Sequence, residues 1–157
     1  MNYNKKNILH VVNIYFVIPY FIGGQFRYFR EKGYNLHVVC SESPYLKDYA
    51  KEQHFDYREI PVLRSIDPIQ DIKSIRRICQ YIKEQNIRIV VGHTPKGGLL
   101  SMIAGWLMRV PKRIYFRHGL VYQTSTGLKR FVLMTVDRVA SRLATKIVCV
   151  SPSVLQH

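Results

Sequence analysis

Apolar residues along this chain fall into two alternating patterns. Runs such as Ile8-Leu-His-Val-Val12, Leu36-His-Val-Val-Cys40 and Ile87-Arg-Ile-Val-Val91 are nearly continuous and rich in β-branched residues, as strands buried on both faces are. Between them lie stretches with apolar residues three and four apart. The sharpest is 68–85, where Ile69, Ile72, Ile75, Ile78 and Ile82 form one stripe. Asp67 caps it, Pro68 fits the first turn, and Lys73, Arg76, Arg77 and Lys83 occupy the other face. In order, the pattern predicts strands at 8–12, 35–40, 56–60, 88–91, 113–117 and 146–150, and helices at 25–32, 44–53, 68–85, 98–108 and 127–143.

Strict β-α alternation with short links predicts an α/β fold with a doubly wound, Rossmann-like parallel sheet, because right-handed crossovers put helices on both faces. Residues 1–157 fit one such domain. With the strand order 3-2-1-4-5-6, the winding reverses between the first and fourth strands, and ligands bind at that crevice. Three loops would border it: 13–24, 92–98 and 117–127.

The most informative stretch is Arg88-Ile-Arg-Ile-Val-Val-Gly-His-Thr-Pro-Lys-Gly-Gly98, where an apolar strand breaks into polar residues and then glycines before an apolar helix. His93, Thr94, Lys96 and Gly97 then stand where a strand ends and a helix begins, and the helix's unpaired N–H groups favour an anion or a saccharide oxygen. The alternative is that His93 and Thr94 only cap the helix and Lys96 is solvated. Gly23 and Gly24, after the first strand, carry no side chain to keep a diphosphate from the backbone, although an ordinary turn explains them equally well. At the end of the fifth strand, Arg117 and His118 can reach the same crevice, where an imidazole can donate to or accept from a hydroxyl group; a satisfied structural histidine is the alternative. Neither G-x-G-x-x-G nor G-x-x-x-x-G-K-[ST] is present, which argues against a dinucleotide fingerprint and a P-loop.

Charge adds a partner to this picture. Lys and Arg number 24 against 10 Asp and Glu, giving +14. A field of that sign attracts nucleic acid, anionic lipid or phosphorylated substrates. No RNP1 pattern or zinc-finger spacing accompanies it, so nucleic acid is set aside. Lys129, Arg130, Arg138, Arg142 and Lys146 form what is usually a solvated face, but their excess over acids, with Lys5, Lys6, Arg27 and Arg30, also suits an anionic membrane surface. The apolar stretches at 8–22 and 99–108 are too short or too interrupted to span a bilayer, and no cleavage site follows the charged amino end, so a cytoplasmic protein is expected. Cys40, Cys79 and Cys149 lack metal or redox spacing and read as buried free thiols.

Four segments together resemble a known family. Lys32-Gly-Tyr-Asn-Leu-His-Val-Val39, His93-Thr-Pro-Lys-Gly-Gly-Leu99, Arg117-His-Gly-Leu120 with Thr126-Gly-Leu-Lys-Arg130, and Lys146-Ile-Val-Cys-Val-Ser-Pro-Ser153 occur in that order across nearly the whole chain. They are similar to the amino-terminal half of bacterial GT-B glycosyltransferases of family 4, of the capsular, O-antigen and exopolysaccharide type. The resemblance implies transfer of a sugar, with retention, from a nucleotide-sugar, commonly a UDP-sugar, to a polyprenyl-diphosphate-linked saccharide at the inner membrane's cytoplasmic face. It implies no metal or other cofactor. It gives Gly23 and Gly24 to the donor diphosphate and the catalytic His118 to the transferred sugar. His93, Thr94, Lys96, Gly97 and Arg117 fall on the acceptor side. The family's nucleotide-sugar-binding second domain, with its E-x7-E motif, has no counterpart in this sequence. The chain is therefore expected to be inactive alone, either as part of a longer enzyme or as a membrane-docking subunit of a split one.

Overall fold

The structure is a computed structural model that describes residues 6–117 and 126–149. Six strands form one parallel sheet: β1 (Asn7–Val11), β2 (Asn35–Cys40), β3 (Asp56–Glu59), β4 (Ile89–His93), β5 (Lys112–Arg117) and β6 (Lys146–Cys149). Their order is β3-β2-β1-β4-β5-β6, as the alternation of patterns predicts. Five α-helices connect them: α1 (Gly23–Glu31), α2 (Leu46–Gln53), α3 (Pro68–Glu84), α4 (Pro95–Leu107) and α5 (Gly127–Leu143).

Side-chain alternation along the central strands splits the core in two. Leu9, Val11 and Val90 face one way and pack with Ile78 and Ile82 of α3, Leu100 and Met102 of α4 and Ala140 of α5. Ile8, Val12, Ile89 and Val91 face the other way, onto Phe26 of α1, Leu46 of α2 and Phe55. The winding therefore reverses between β1 and β4, whose registers pair Val11 with Gly92.

Helices α1 and α4 start earlier than the pattern predicts, α2 starts at Leu46 rather than at 44, and α3 keeps its boundaries but buries only part of its stripe. The segment 13–24 is not an open loop, because a π-turn at Ile18–Ile22 runs directly into α1. Pro19 stands at its first positions, where a missing N–H costs nothing. Ile18, Ile22 and Phe26 then line up four apart and are all fully buried, which outweighs the breaker tendency of Gly23-Gly24. Similarly, α4 starts at Pro95 rather than Gly98, with Thr94 as its cap. In α3, Ile78 and Ile82 reach the core, but Ile69 and Ile72 stay 71% and 59% exposed, so the isoleucine stripe outruns the surface it packs on.

Candidate functional site

The C-terminal ends of β1 and β4 lie side by side, and glycines let α4 approach them closely. A Cβ on Gly97 would sit 2.9 Å from the Val11 carbonyl oxygen, and one on Gly98 would enter the Tyr115 ring. The first turn of α4 is thereby pressed against the end of β1.

Between β4 and α4 stands Thr94, with φ 68° and ψ 162°. That region is almost reserved for glycine, and holding a threonine there costs about 1–3 kcal/mol. Its Oγ1 accepts a long hydrogen bond from the Gly97 N–H at 3.4 Å. Strain of this kind persists only where the surroundings fix it, and here it stands at the sheet's switch point.

Behind Thr94 is a pair of imidazoles. His10 Nδ1 and His93 Nε2 are 3.0 Å apart, and both rings are buried. One ring donates and the other accepts, so a single proton occupies the contact. Burial pushes His10 down to about 4, which keeps it neutral near neutral pH. The His93 ring also lies 5.4 Å from that of Phe116. His93 and Thr94 thus adjoin at the end of β4, with the imidazole buried against His10 and Phe116.

Lys96 is differently placed from a solvated cation. Its Nζ is 2.7 Å from Asp71 Oδ2 and donates to the Ser65 carbonyl at 2.6 Å. The two side chains are 12% and 17% exposed, so this ion pair ties the start of α4 to the start of α3 within the fold. Arg117 is likewise engaged. Its Nε donates to Asp137 Oδ1 at 3.1 Å, and its Nη2 donates to Asp137 Oδ2 at 2.6 Å and Ser141 Oγ at 2.8 Å. The Tyr115 hydroxyl donates to the same carboxylate at 3.0 Å. Burial, and then the Asp137 charge, push that phenol well above its ordinary value. Both cations brace the walls of the crevice through carboxylates of α3 and α5.

The two glycines after β1 differ. The Gly23 N–H donates to the Ile18 carbonyl, and a Cβ there would meet the Tyr49 hydroxyl at 2.7 Å. Around Gly24 nothing lies within 4 Å of such a Cβ, so Gly24 is the one that opens on free space. His118 lies outside the described residues. Among the described residues, no three His, Cys, Asp or Glu side chains come together as a metal site, and no helix is long and apolar enough to cross a membrane. Cys40 is buried and its thiol is pushed up to about 12 by that burial, while Cys79 and Cys149 are half-buried.

Two residues at the crevice are not legible from motif spacing. His10 sits in the middle of an apolar strand run, and its only signal is a polar residue interrupting that run. Asn13 follows β1, is 4% exposed, and leaves its Oδ1 without a hydrogen-bond partner. Beside it, Ile14, Phe16, Val17, Pro19, Tyr20 and Arg64 line an open groove of about 550 Å³.

Residues 7–151 match the glycosyl transferase 4-like family model. The chain is 34% identical over 154 residues to the Staphylococcus aureus capsular polysaccharide biosynthesis glycosyltransferase CapM, covering 98% of this chain and 39% of that one. It is 25% identical over 126 residues to the Escherichia coli UDP-Gal:α-D-GlcNAc-diphosphoundecaprenol α-1,3-galactosyltransferase, covering 80% and 33%. The fold superposes on Acinetobacter baumannii MurG with a TM-score of 0.69 at 12% identity, over 96% of this chain and 42% of that one. The chain therefore spans about two fifths or less of the curated relatives' length. Because the family match runs from β1 through β6 and includes both strands that form the crevice, the chain belongs to the glycosyl transferase 4-like family.

Proposed function

We propose that this chain is the acceptor-side half of a retaining glycosyltransferase, which moves a sugar from a UDP-sugar to a polyprenyl-diphosphate-linked saccharide in surface polysaccharide synthesis. The observation that carries this reading is the strained Thr94 turn at the β1/β4 switch point of a family member, held against β1 by Gly97. The activity named for the E. coli relative supports both substrates, since it joins UDP-Gal to a saccharide on diphosphoundecaprenol.

In this reading the acceptor saccharide lies along the Thr94 turn, which Gly97 lets sit close against the end of β1, with His93 buried behind it. Lys96 and Arg117 act from behind, each holding a wall in place through its carboxylate partner. Gly24 gives the donor diphosphate room near the start of α1, Gly23 shapes the turn before it, and the transferred sugar is assigned to His118. The reaction builds positive charge on the sugar and negative charge on the departing diphosphate, and fixed backbone dipoles and cations stabilise both without a metal. The nucleotide-sugar is held by a second domain beyond these residues.

The same edge of the sheet suits an anionic membrane surface. Phe16 and Tyr20 are exposed beside Arg64, and Leu128 and Phe131 are exposed beside Lys129 and Arg130 at the start of α5. Apolar side chains flanked by cations match the boundary between acyl chains and anionic headgroups, where the polyprenyl anchor of the acceptor would be presented on the cytoplasmic side.

The test is to incubate the natural gene product with UDP-sugars and α-D-GlcNAc-diphosphoundecaprenol and read the new linkage by NMR. The expected product keeps the donor's anomeric configuration. Inversion contradicts the retaining assignment, and failure of every lipid-linked saccharide to accept a sugar contradicts the reading as a whole.

A further inference from the structure

The open groove that follows β1 joins an apolar lining to a single charge. Val17 is buried, whereas Ile14, Phe16, Pro19 and Tyr20 are exposed around it, and Arg64 completes the wall. At about 550 Å³ it has the size of a small-molecule site, and such sites are concave and mostly apolar with a few polar groups that fix orientation. Exposed apolar side chains gathered in one place mark a surface that something else covers.

The backbone carrying Arg64 is built into the fold. The Ile60 N–H donates to the Cys40 carbonyl at 2.9 Å, and the Val62 N–H donates to Ser41 Oγ at 2.9 Å. The Pro61 carbonyl accepts from Ser74 Oγ at 2.6 Å, and the Ser65 carbonyl accepts from Lys96 Nζ at 2.6 Å. Residues 60–65 are thereby fixed across the C-terminal ends of β2 and β3 and against the first turn of α4, beside the crevice. No carboxylate lines the groove among the described residues. The acids that follow Arg64 are spent elsewhere, because Asp67 accepts from the Gln70 N–H and Asp71 pairs with Lys96. The guanidinium is exposed and uncompensated, on a support that holds it beside apolar walls.

An apolar groove with one uncompensated arginine complements a chain that is apolar along its length and anionic at one end. A bilayer surface meets exposed side chains from outside and leaves a concavity unfilled, whereas a single chain fills it. We propose that this groove holds the prenyl chain of the lipid-linked acceptor, with the isoprene units nearest the head against Ile14, Phe16, Val17 and Pro19 and the diphosphate on Arg64. The planar guanidinium suits phosphate oxygens, which it can engage through two parallel N–H groups. This rests on the acceptor-side reading above and adds to it the site that holds the lipid. The saccharide then extends from Arg64 toward the Thr94 turn.

The experiment titrates the natural gene product with farnesyl diphosphate, farnesol and inorganic diphosphate, without membranes or detergent. The parent should bind farnesyl diphosphate more tightly than either of the other two. Arg64→Gln should lose about tenfold for farnesyl diphosphate and little for farnesol, while Phe16→Ser should lose severalfold for both. Both side chains are exposed, so Tm should stay unchanged and the losses report binding. Equal affinity for farnesyl diphosphate and inorganic diphosphate, or no loss in either variant, overturns the groove assignment. Binding to anionic vesicles that depends on Phe16, without any binding of farnesyl diphosphate, gives the patch to the bilayer and overturns it as well. In both cases sugar transfer by the parent to a lipid-linked saccharide leaves the acceptor reading standing. A parent that transfers to no lipid-linked saccharide overturns that reading and this inference with it.

Discussion

At the scale of single residues, the proposed site would set stability against function at two positions. Thr94 holds a conformation that glycine adopts freely, and the bond it makes as a cap is long. Thr94→Gly should therefore raise stability by about 1 kcal/mol, since strain relief exceeds the few tenths lost at the cap. Denaturant titration reads the gain, and acceptor KM should rise because the turn is no longer held. Gly24 lies within α1 with open space where a Cβ would go. In Gly24→Ala, helix propensity should add about 0.5–1 kcal/mol, while under the proposed donor role the new methyl group should raise donor KM. An alanine variant with unchanged donor kinetics would remove Gly24 from the donor site.

Among elements, what the sequence made legible and what it hid have different physical origins. Strand order followed from runs such as Ile87 to Val91, whose continuous apolar character signals burial on both faces regardless of partners. The start of α1 was hidden because Pro19 and Gly23-Gly24 read locally as breakers, whereas Ile18, Ile22 and Phe26 form a stripe that only tertiary burial makes decisive. Lys96 and Arg117 were found as polar residues at strand ends, but their ion pairs were not, because Asp71 and Asp137 belong to other elements. Asn13 carried no motif at all. The close fit of α4 on β4 yields a prediction at this scale: a Cβ on Gly92 would collide with Ser101 Oγ and come within 2.7 Å of Gly98 Cα. Backbone cannot yield as a side chain can, so Gly92→Ala should destabilise by about 1–3 kcal/mol in thermal or denaturant unfolding.

For the whole molecule, the buried imidazoles set a pH dependence. His10 is held down to about 4 by burial, and burial lowers His37 as well. A histidine that resists protonation only when folded stabilises fully above its unfolded value near 6.5, and its contribution is lost as pH falls toward 4. His10 alone accounts for something on the order of 3 kcal/mol across that window. Melting temperature should drop steeply between those pH values, and less steeply in His10→Gln. Under the proposed docking, the excess of cations should make binding to anionic vesicles fall as salt rises, and binding that ignores salt would contradict it. The central claim is that a lipid-linked saccharide receives the sugar. The most direct measurement is the rate of UDP release by the natural gene product from UDP-sugars, with and without α-D-GlcNAc-diphosphoundecaprenol and related lipid-linked saccharides. Release that depends on one of these acceptors is the predicted result; release that proceeds equally without any of them, or an altered UDP-sugar with no transfer, would contradict it.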